Sequence, residues 1–237
     1  MRKTCRLAAI LLLLLPCAAI WAQPVPGNAD SMAKPIELFY RAVNQSARLY
    51  NGSEYIMYDQ RIKGDPYFMP QVQPGAVLYD GTLYTNIPML YETSSGNVVI
   101  RQYNNGVLMN LINEKVGYFT LYGHYFIHIV PDSINTVITN GFYDRVYNGN
   151  TAVYVKRQKL LYEDGVTFER SFILKDRYFI YANNTWYAVR NQNEALDIFK
   201  DKRKEITRYL RQNRLKYRKT PEATLTAMAA YYDKLTH

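Results

Sequence analysis

His124 and His128 are the first candidates for chemistry, because imidazole can bind a metal or act as a base near neutral pH. The three residues between them, Tyr-Phe-Ile, favour a strand. On a strand the two imidazoles share a face and lie about 13 Å apart, at ~3.3 Å per residue. That separation is too large for one metal ion, even with Asp132 as a third ligand, and no HExxH-type motif surrounds the pair. We therefore interpret both histidines as structural and predict no metal site.

Covalent and acid–base catalysis have no clear sequence signature. No Gly-x-Ser-x-Gly motif is present, and Ser133 lies near His128 only in sequence. Because no phosphate-binding or dinucleotide-binding glycine motif occurs, we predict no cofactor. Paired carboxylates of a glycan hydrolase could be formed by two of four glutamates, although nothing selects two of them. The four are Glu92, Glu114, Glu163 and Glu169.

Basic residues are concentrated near the C-terminus. Residues 200–219 contain ten Lys or Arg and only two acidic residues, whereas the rest of the chain beyond residue 22 is slightly acidic. Lys200, Lys204, Arg208 and Arg211 share the polar face of a predicted helix. This face is a candidate contact for an anionic envelope surface or an acidic envelope protein. The favoured interpretation is a solvated face whose side chains extend into water.

The first 22 residues have the pattern of a signal peptide. Arg2, Lys3 and Arg6 precede the apolar run 7–15, and Pro16 ends it. The small residue Ala22 predicts cleavage before Gln23, so the mature chain is periplasmic or secreted, and nucleic acid is not an expected partner. A lipid anchor on Cys17 is the alternative, which Pro16 fits badly. Because both cysteines lie in this segment, the mature chain has no thiol chemistry, and no later apolar run is long enough to span a membrane.

The rest of the chain alternates short apolar runs with turn signals. After a flexible lead at 23–34, a helix is predicted from Pro35, with its apolar face at spacings of three and four. Asn51-Gly52 ends this helix or forms a hairpin turn. Strands are predicted at 55–58, 67–69 and 166–172, and Ile100 is predicted to lie opposite Leu111 across the Asn105-Gly106 turn. A run of hairpins with turns at Asp80-Gly81, Asn105-Gly106, Asn148-Gly149, Asp164-Gly165 and Asn183-Asn184 completes a β-rich domain at 35–192.

From Asn193 onward the spacing of apolar residues is that of helices, and we predict Asn193 as an N-cap. Leu196, Phe199, Ile206 and Leu210 share one apolar face, and Thr220-Pro221-Glu222 begins a second helix. Residues 193–237 are therefore predicted to form a basic helical hairpin docked on the sheet. The fold class is α+β, mainly antiparallel, sandwich- or barrel-like. The 23 tyrosines fit such a sheet, with an aromatic ligand platform as the alternative.

Three runs carry a resemblance to a known family: residues 62–67 (Ile-Lys-Gly-Asp-Pro-Tyr), 141–144 (Gly-Phe-Tyr-Asp) and 231–235 (Tyr-Tyr-Asp-Lys-Leu). They resemble a family of exported bacterial proteins that has no assigned activity. The resemblance implies a bacterial, extracytoplasmic setting and supplies no active site. We expect a non-enzymatic binding or scaffolding protein of the cell envelope, with a carboxylate hydrolase of envelope glycans or peptides as the alternative.

Overall fold

The computed structural model describes residues 48–102, 106–132 and 137–236. The predicted signal peptide, the flexible lead and nearly all of the helix predicted after Pro35 lie outside these residues. So do Tyr103, Ser133 and His237. In the described part of the chain, no helix is long and apolar enough to cross a membrane.

Thirteen strands are present in the described residues, and eleven of them form one antiparallel sheet. The bounds are β1 Ser53–Glu54, β2 Gln73–Tyr79, β3 Thr82–Glu92, β4 Asn97–Arg101, β5 Leu108–Asn110, β6 Val116–Leu121, β7 His124–Ile129, β8 Gly141–Asn148, β9 Ala152–Lys156, β10 Lys159–Glu163, β11 Arg170–Leu174, β12 Arg177–Ala182 and β13 Thr185–Val189. The sheet order is β1-β5-β4-β3-β2-β6-β7-β8-β9-β12-β13, while β10 and β11 form a separate two-stranded arm between β9 and β12. This architecture confirms the predicted α+β class.

Two-residue turns connect three of the strand pairs. Asp80 and Gly81 both have positive φ, and Tyr79 pairs with Thr82 across them, as predicted for a type I′ turn. Asn183 and Asn184 also have positive φ between β12 and β13. The third such turn, Tyr122-Gly123, joins β6 to β7. These turns fix the register of their hairpins and therefore decide which side chains face the core.

Three α-helices follow the sheet: α1 Gln192–Ile198, α2 Arg203–Gln212 and α3 Pro221–Thr236. A one-turn 3-10 helix, Lys200–Lys202, separates α1 from α2, so the single helix predicted from Asn193 is divided. The N-cap of α1 is Asn191, because its side chain accepts hydrogen bonds from the backbone N–H groups of Asn193 and Glu194. The Glu194 carboxylate in turn accepts the backbone N–H of Arg190. The prediction of Asn193 as the cap was therefore wrong by two residues.

The helices pack on the end of the sheet formed by β8, β9, β12 and β13. The sheet side chains at this contact include Val153, Ile180 and Val189. The buried helix side chains include all four of the predicted apolar face and three from α3: Leu196, Phe199, Ile206, Leu210, Leu225, Met228 and Ala229. A second core is formed by side chains of β2, β3, β4, β6, β7 and β8 and is rich in aromatic rings, among them Tyr91, Phe119 and Phe126. Tyrosine therefore serves the core as well as the surface.

Two predicted strands are absent from the described structure. Residues 55–58 are irregular, because β1 ends at Glu54 and its partner strand β5 is only three residues long. Residues 67–69 make one isolated bridge, Tyr67 to Glu92, since the flanking Pro66 and Pro70 have no N–H to extend a ladder.

Two other predictions were wrong in detail. Ile100 pairs with Met109 rather than Leu111, because a hydrogen bond from Gly106 N to Gln102 O makes the β4–β5 loop wider than a two-residue turn. The strand predicted from Val166 begins at Arg170 instead. Asp164 accepts the N–H groups of Val166 and Thr167 and holds them in the tip of the arm.

Candidate functional site: a basic groove at the end of the sheet

A groove of about 1540 Å³ lies where β12 begins and β13 ends. Three segments of the chain line it: residues 175–179, residues 188–193, and the loop 216–219 with Pro221 at the start of α3. Six of the lining residues are basic and one, Asp176, is acidic. The basic residues are Lys175, Arg177, Arg190, Lys216, Arg218 and Lys219. We call this surface the basic groove.

The register of β12 with β13 and the hydroxyl of Tyr217 position the basic residues of the groove. Tyr178 pairs with Val189, which places Arg177 and Arg190 at adjacent ends of the two strands. The Tyr217 hydroxyl donates a hydrogen bond of 3.0 Å to the carbonyl oxygen of Val189 and so holds the 216–219 loop beside the end of β13. The Tyr217 ring also contacts Tyr178 edge to face, at 6.2 Å between ring centroids. The loop is therefore attached to the sheet, and its bases are held at the groove.

The charges of the basic groove are largely uncompensated. All six basic residues are exposed, and among the described residues only Arg190 forms an ion pair, with Glu194 at 3.1 Å. Asp176 is engaged elsewhere, since it binds Arg157 at 3.1 Å and accepts the N–H of Gln158. Burial, followed by the nearby Tyr178 and Glu194, raises the pKa of Tyr217 to about 12, so its hydroxyl remains a donor at neutral pH. A groove of this composition attracts anions.

Comparisons with known proteins give no relative. No protein-family model matches the sequence, and no curated protein or solved structure matches it significantly. The resemblance to exported bacterial proteins therefore stays a prediction.

The predicted anionic contact is a separate surface. Lys200 precedes α2, and Lys204, Arg208 and Arg211 lie on it; all four are exposed. None of them lines the basic groove. The 200–219 segment thus divides its charge between the outer face of α2 and the loop that enters the groove.

Both histidines of β7 have polar partners. His124 Nδ1 is 2.7 Å from Asp144 Oδ2, and His128 Nε2 is 2.8 Å from Asn140 Oδ1. Their rings contact Phe68 and Phe142 respectively. In the described residues, no group of three or more His, Cys, Asp or Glu side chains is arranged to hold a metal ion. The histidines are therefore parts of the packed sheet.

The four glutamates proposed for hydrolysis have different surroundings. Glu92 is buried and accepts hydrogen bonds from the backbone of Ser94 and Ser95, which closes the β3–β4 turn. Glu169 is exposed and forms an ion pair with Lys63 at 2.7 Å. Glu114 lies in a one-turn 3-10 helix, and Glu163 lies in the arm; both are exposed. Nothing in these contacts selects two carboxylates for a common site.

A largely buried arginine, Arg157, is the centre of the main ionic network. Arg157 Nη2 lies 2.5 Å from Asp144 Oδ2 and 2.8 Å from Glu222 Oε2, while its Nη1 binds Asp176. Burial lowers the pKa of Arg157, but the attraction of Asp144 and Glu222 outweighs burial and the net shift is upward. Asp144 is on β8, Asp176 precedes β12 and Glu222 lies in the first turn of α3. The network therefore connects the sheet to the helix that follows the groove loop. Sequence reasoning missed it, since the four residues are widely separated along the chain.

Proposed function

We propose that this chain is an exported, non-enzymatic binding protein of the bacterial cell envelope and that it binds an anionic ligand in the basic groove. The single observation that supports this proposal most is the groove itself, with six basic side chains against one acid that is already paired. Export is supported by the signal-peptide pattern of residues 1–22.

The size and openness of the groove favour a ligand with several charges. Pockets for small molecules usually enclose about 300–1,000 Å³ and are mostly apolar. The basic groove is larger than that range, and its bases are exposed rather than enclosed. A ligand that carries a row of negative charges would contact bases from all three lining segments at once, which a single small anion would not do.

Binding of two anionic probes tests the groove. Tripolyphosphate and lipopolysaccharide would be titrated against the chain and against a variant that carries Lys216→Gln, Arg218→Gln and Lys219→Gln. The matched control carries Lys204→Gln, Arg208→Gln and Arg211→Gln, which removes the same charge from the outer face of α2. We expect the groove variant to bind at least about tenfold more weakly, equivalent to 1.4 kcal/mol, and the control to bind like the wild type.

The salt dependence gives a second criterion. Binding to exposed bases should weaken as ionic strength rises, because salt screens charges that are open to water. Equal loss in both triple variants would show that only net charge matters, and unchanged binding in the groove variant would refute the proposed site.

The mass of the exported protein tests the compartment and the processing. A chain that starts at Gln23 and carries no lipid would support the proposal. A chain that starts at Cys17 with a diacylglyceryl group would establish the lipid-anchored alternative.

A further inference from the structure

The basic groove adjoins the free edge of an eleven-stranded sheet. β13 is the last strand in the sheet order, and its only partner in the described residues is β12. Ala188 and Val189 of this strand line the groove itself. The groove therefore offers backbone groups as well as charged side chains.

The hairpin turn determines which backbone groups point away from the sheet. In a two-residue turn the closing pair, Ala182 and Thr185, exchanges hydrogen bonds, and hydrogen-bonded pairs then alternate along the ladder. Thr185, Tyr187 and Val189 accordingly direct their backbone groups toward β12. Trp186 and Ala188 direct theirs outward, and no hydrogen bond from another described residue reaches them.

The end of this free edge is surrounded by positive charge. Arg190 follows the last residue of β13 and is exposed. Its N–H already donates to the Glu194 carboxylate, so strand pairing can extend only as far as Ala188. Lys216, Arg218 and Lys219 lie beside the same end, because Tyr217 binds the carbonyl of Val189. A strand that paired with Trp186 and Ala188 would thus continue into the bases of the groove.

We infer that the ligand of the basic groove is an acidic, extended peptide segment of another protein, which adds to β13 as a further strand. This inference rests on the proposed function and specifies its ligand class. Main-chain hydrogen bonds to Trp186 and Ala188 supply the pairing, and the groove bases select acidic side chains. A phosphate or a lipid head group would use the bases but has no backbone to match the outward groups of the edge.

The test compares ligands that differ only in backbone hydrogen bonding. A short synthetic peptide of alternating glutamate and valine, blocked at both ends, would be titrated against the full mature chain. A matched peptide with N-methyl groups on alternate backbone nitrogens has the same charge but cannot pair as a strand. We expect the methylated peptide to bind at least about tenfold more weakly. Hydrogen exchange at the amides of Trp186 and Ala188 should slow only with the unmethylated peptide.

A pair of variants tests the edge of the protein itself. Ala188→Pro removes one outward N–H without breaking a bond to β12, and proline is tolerated at such edge positions. Ala188→Ser keeps the N–H and is the control. We expect Ala188→Pro to bind the peptide about tenfold more weakly than Ala188→Ser.

The outcomes separate this inference from the proposed function. If tripolyphosphate binds but the two peptides bind equally, or if neither peptide binds, strand addition is overturned and the anion-binding groove stands. If neither tripolyphosphate nor either peptide binds, both proposals fail. If Ala188→Pro proves unstable, the methylated peptide still decides, because that comparison uses the wild-type chain.

Discussion

At the scale of single residues, Arg157 has more ion-pair partners than any other basic side chain in the described structure. Its guanidinium faces three carboxylates, and the side chain of Asp144 is only 1% exposed. The free energy needed to bury these charges is offset only while the partners remain together. Arg157 therefore stabilises the junction of β8, β12 and α3 by compensating buried negative charge.

Replacing Arg157 with methionine should lower the free energy of unfolding by about 3–5 kcal/mol, because it leaves Asp144 buried without its cation. Urea denaturation would measure the change. The control is Arg61→Met, whose side chain is 86% exposed and whose pair with Asp59 should contribute little to stability, because water and salt screen exposed charges. Equal midpoints for the two variants would contradict the structural role of Arg157.

A second prediction isolates backbone conformation at two glycines. Gly81 has a φ of +75°, whereas Gly165 has no left-handed φ, and a Cβ atom at either position would meet nothing within 4 Å. Gly81→Val should therefore destabilise the protein by about 1–3 kcal/mol, while Gly165→Val should be nearly neutral. Thermal unfolding of both variants would check this. A similar loss at both sites would mean that the hairpin turn is not the cause.

At the scale of elements, features that are set by residues close in sequence were easier to predict than features that are set by distant residues. Turns such as Asp80-Gly81 and the buried face of Leu196 and Leu210 were predictable, because turn chemistry and helix period are local properties. The strand expected at 55–58 failed because strand formation depends on a partner whose length is set elsewhere. The basic groove could not be predicted, since Lys175 and Arg190 are far in sequence from the 216–219 loop and meet it only after folding.

The helices supply the element-scale prediction. Leu196 and Leu210 are 4% and 2% exposed, so truncation of either to alanine should cost about 2–5 kcal/mol. The control is the same substitution at Leu174, whose side chain is 66% exposed. Leu174→Ala should change the free energy of unfolding by less than about 0.5 kcal/mol. Denaturant midpoints would measure all three. Little change at Leu196 and Leu210 would contradict the packing of the helices on the sheet.

At the scale of the described molecule, the tyrosines link stability to high pH. Burial is the largest cause of a raised pKa in several tyrosines, among them Tyr91, Tyr154 and Tyr178. An unfolded tyrosine ionises near pH 10. Between that pH and the folded values, the unfolded chain loses protons that the native chain retains. The stabilisation is therefore complete below about pH 10 and is lost as the pH rises through the higher folded values.

Urea midpoints should thus be constant near neutral pH and should fall above about pH 10. Absorbance of tyrosinate provides an independent measurement on the same samples. A group of tyrosines should ionise only when the chain unfolds. Ionisation of all tyrosines near pH 10 without loss of structure would contradict their burial.

The order of strands in the sheet also has a consequence for how fast the chain folds. Most neighbouring strands are joined by short turns, so their pairing closes small loops at little entropic cost. Three pairings close larger loops: β1 pairs with β5, β6 pairs with β2 across the intervening β3, β4 and β5, and β12 pairs with β9 across the β10–β11 arm. Since folding rates fall as contacts become more distant in sequence, we expect these three closures to be the slow steps. Substitutions at Val77 or Phe119, which face each other between β2 and β6, should then slow folding, whereas changes within the arm should not.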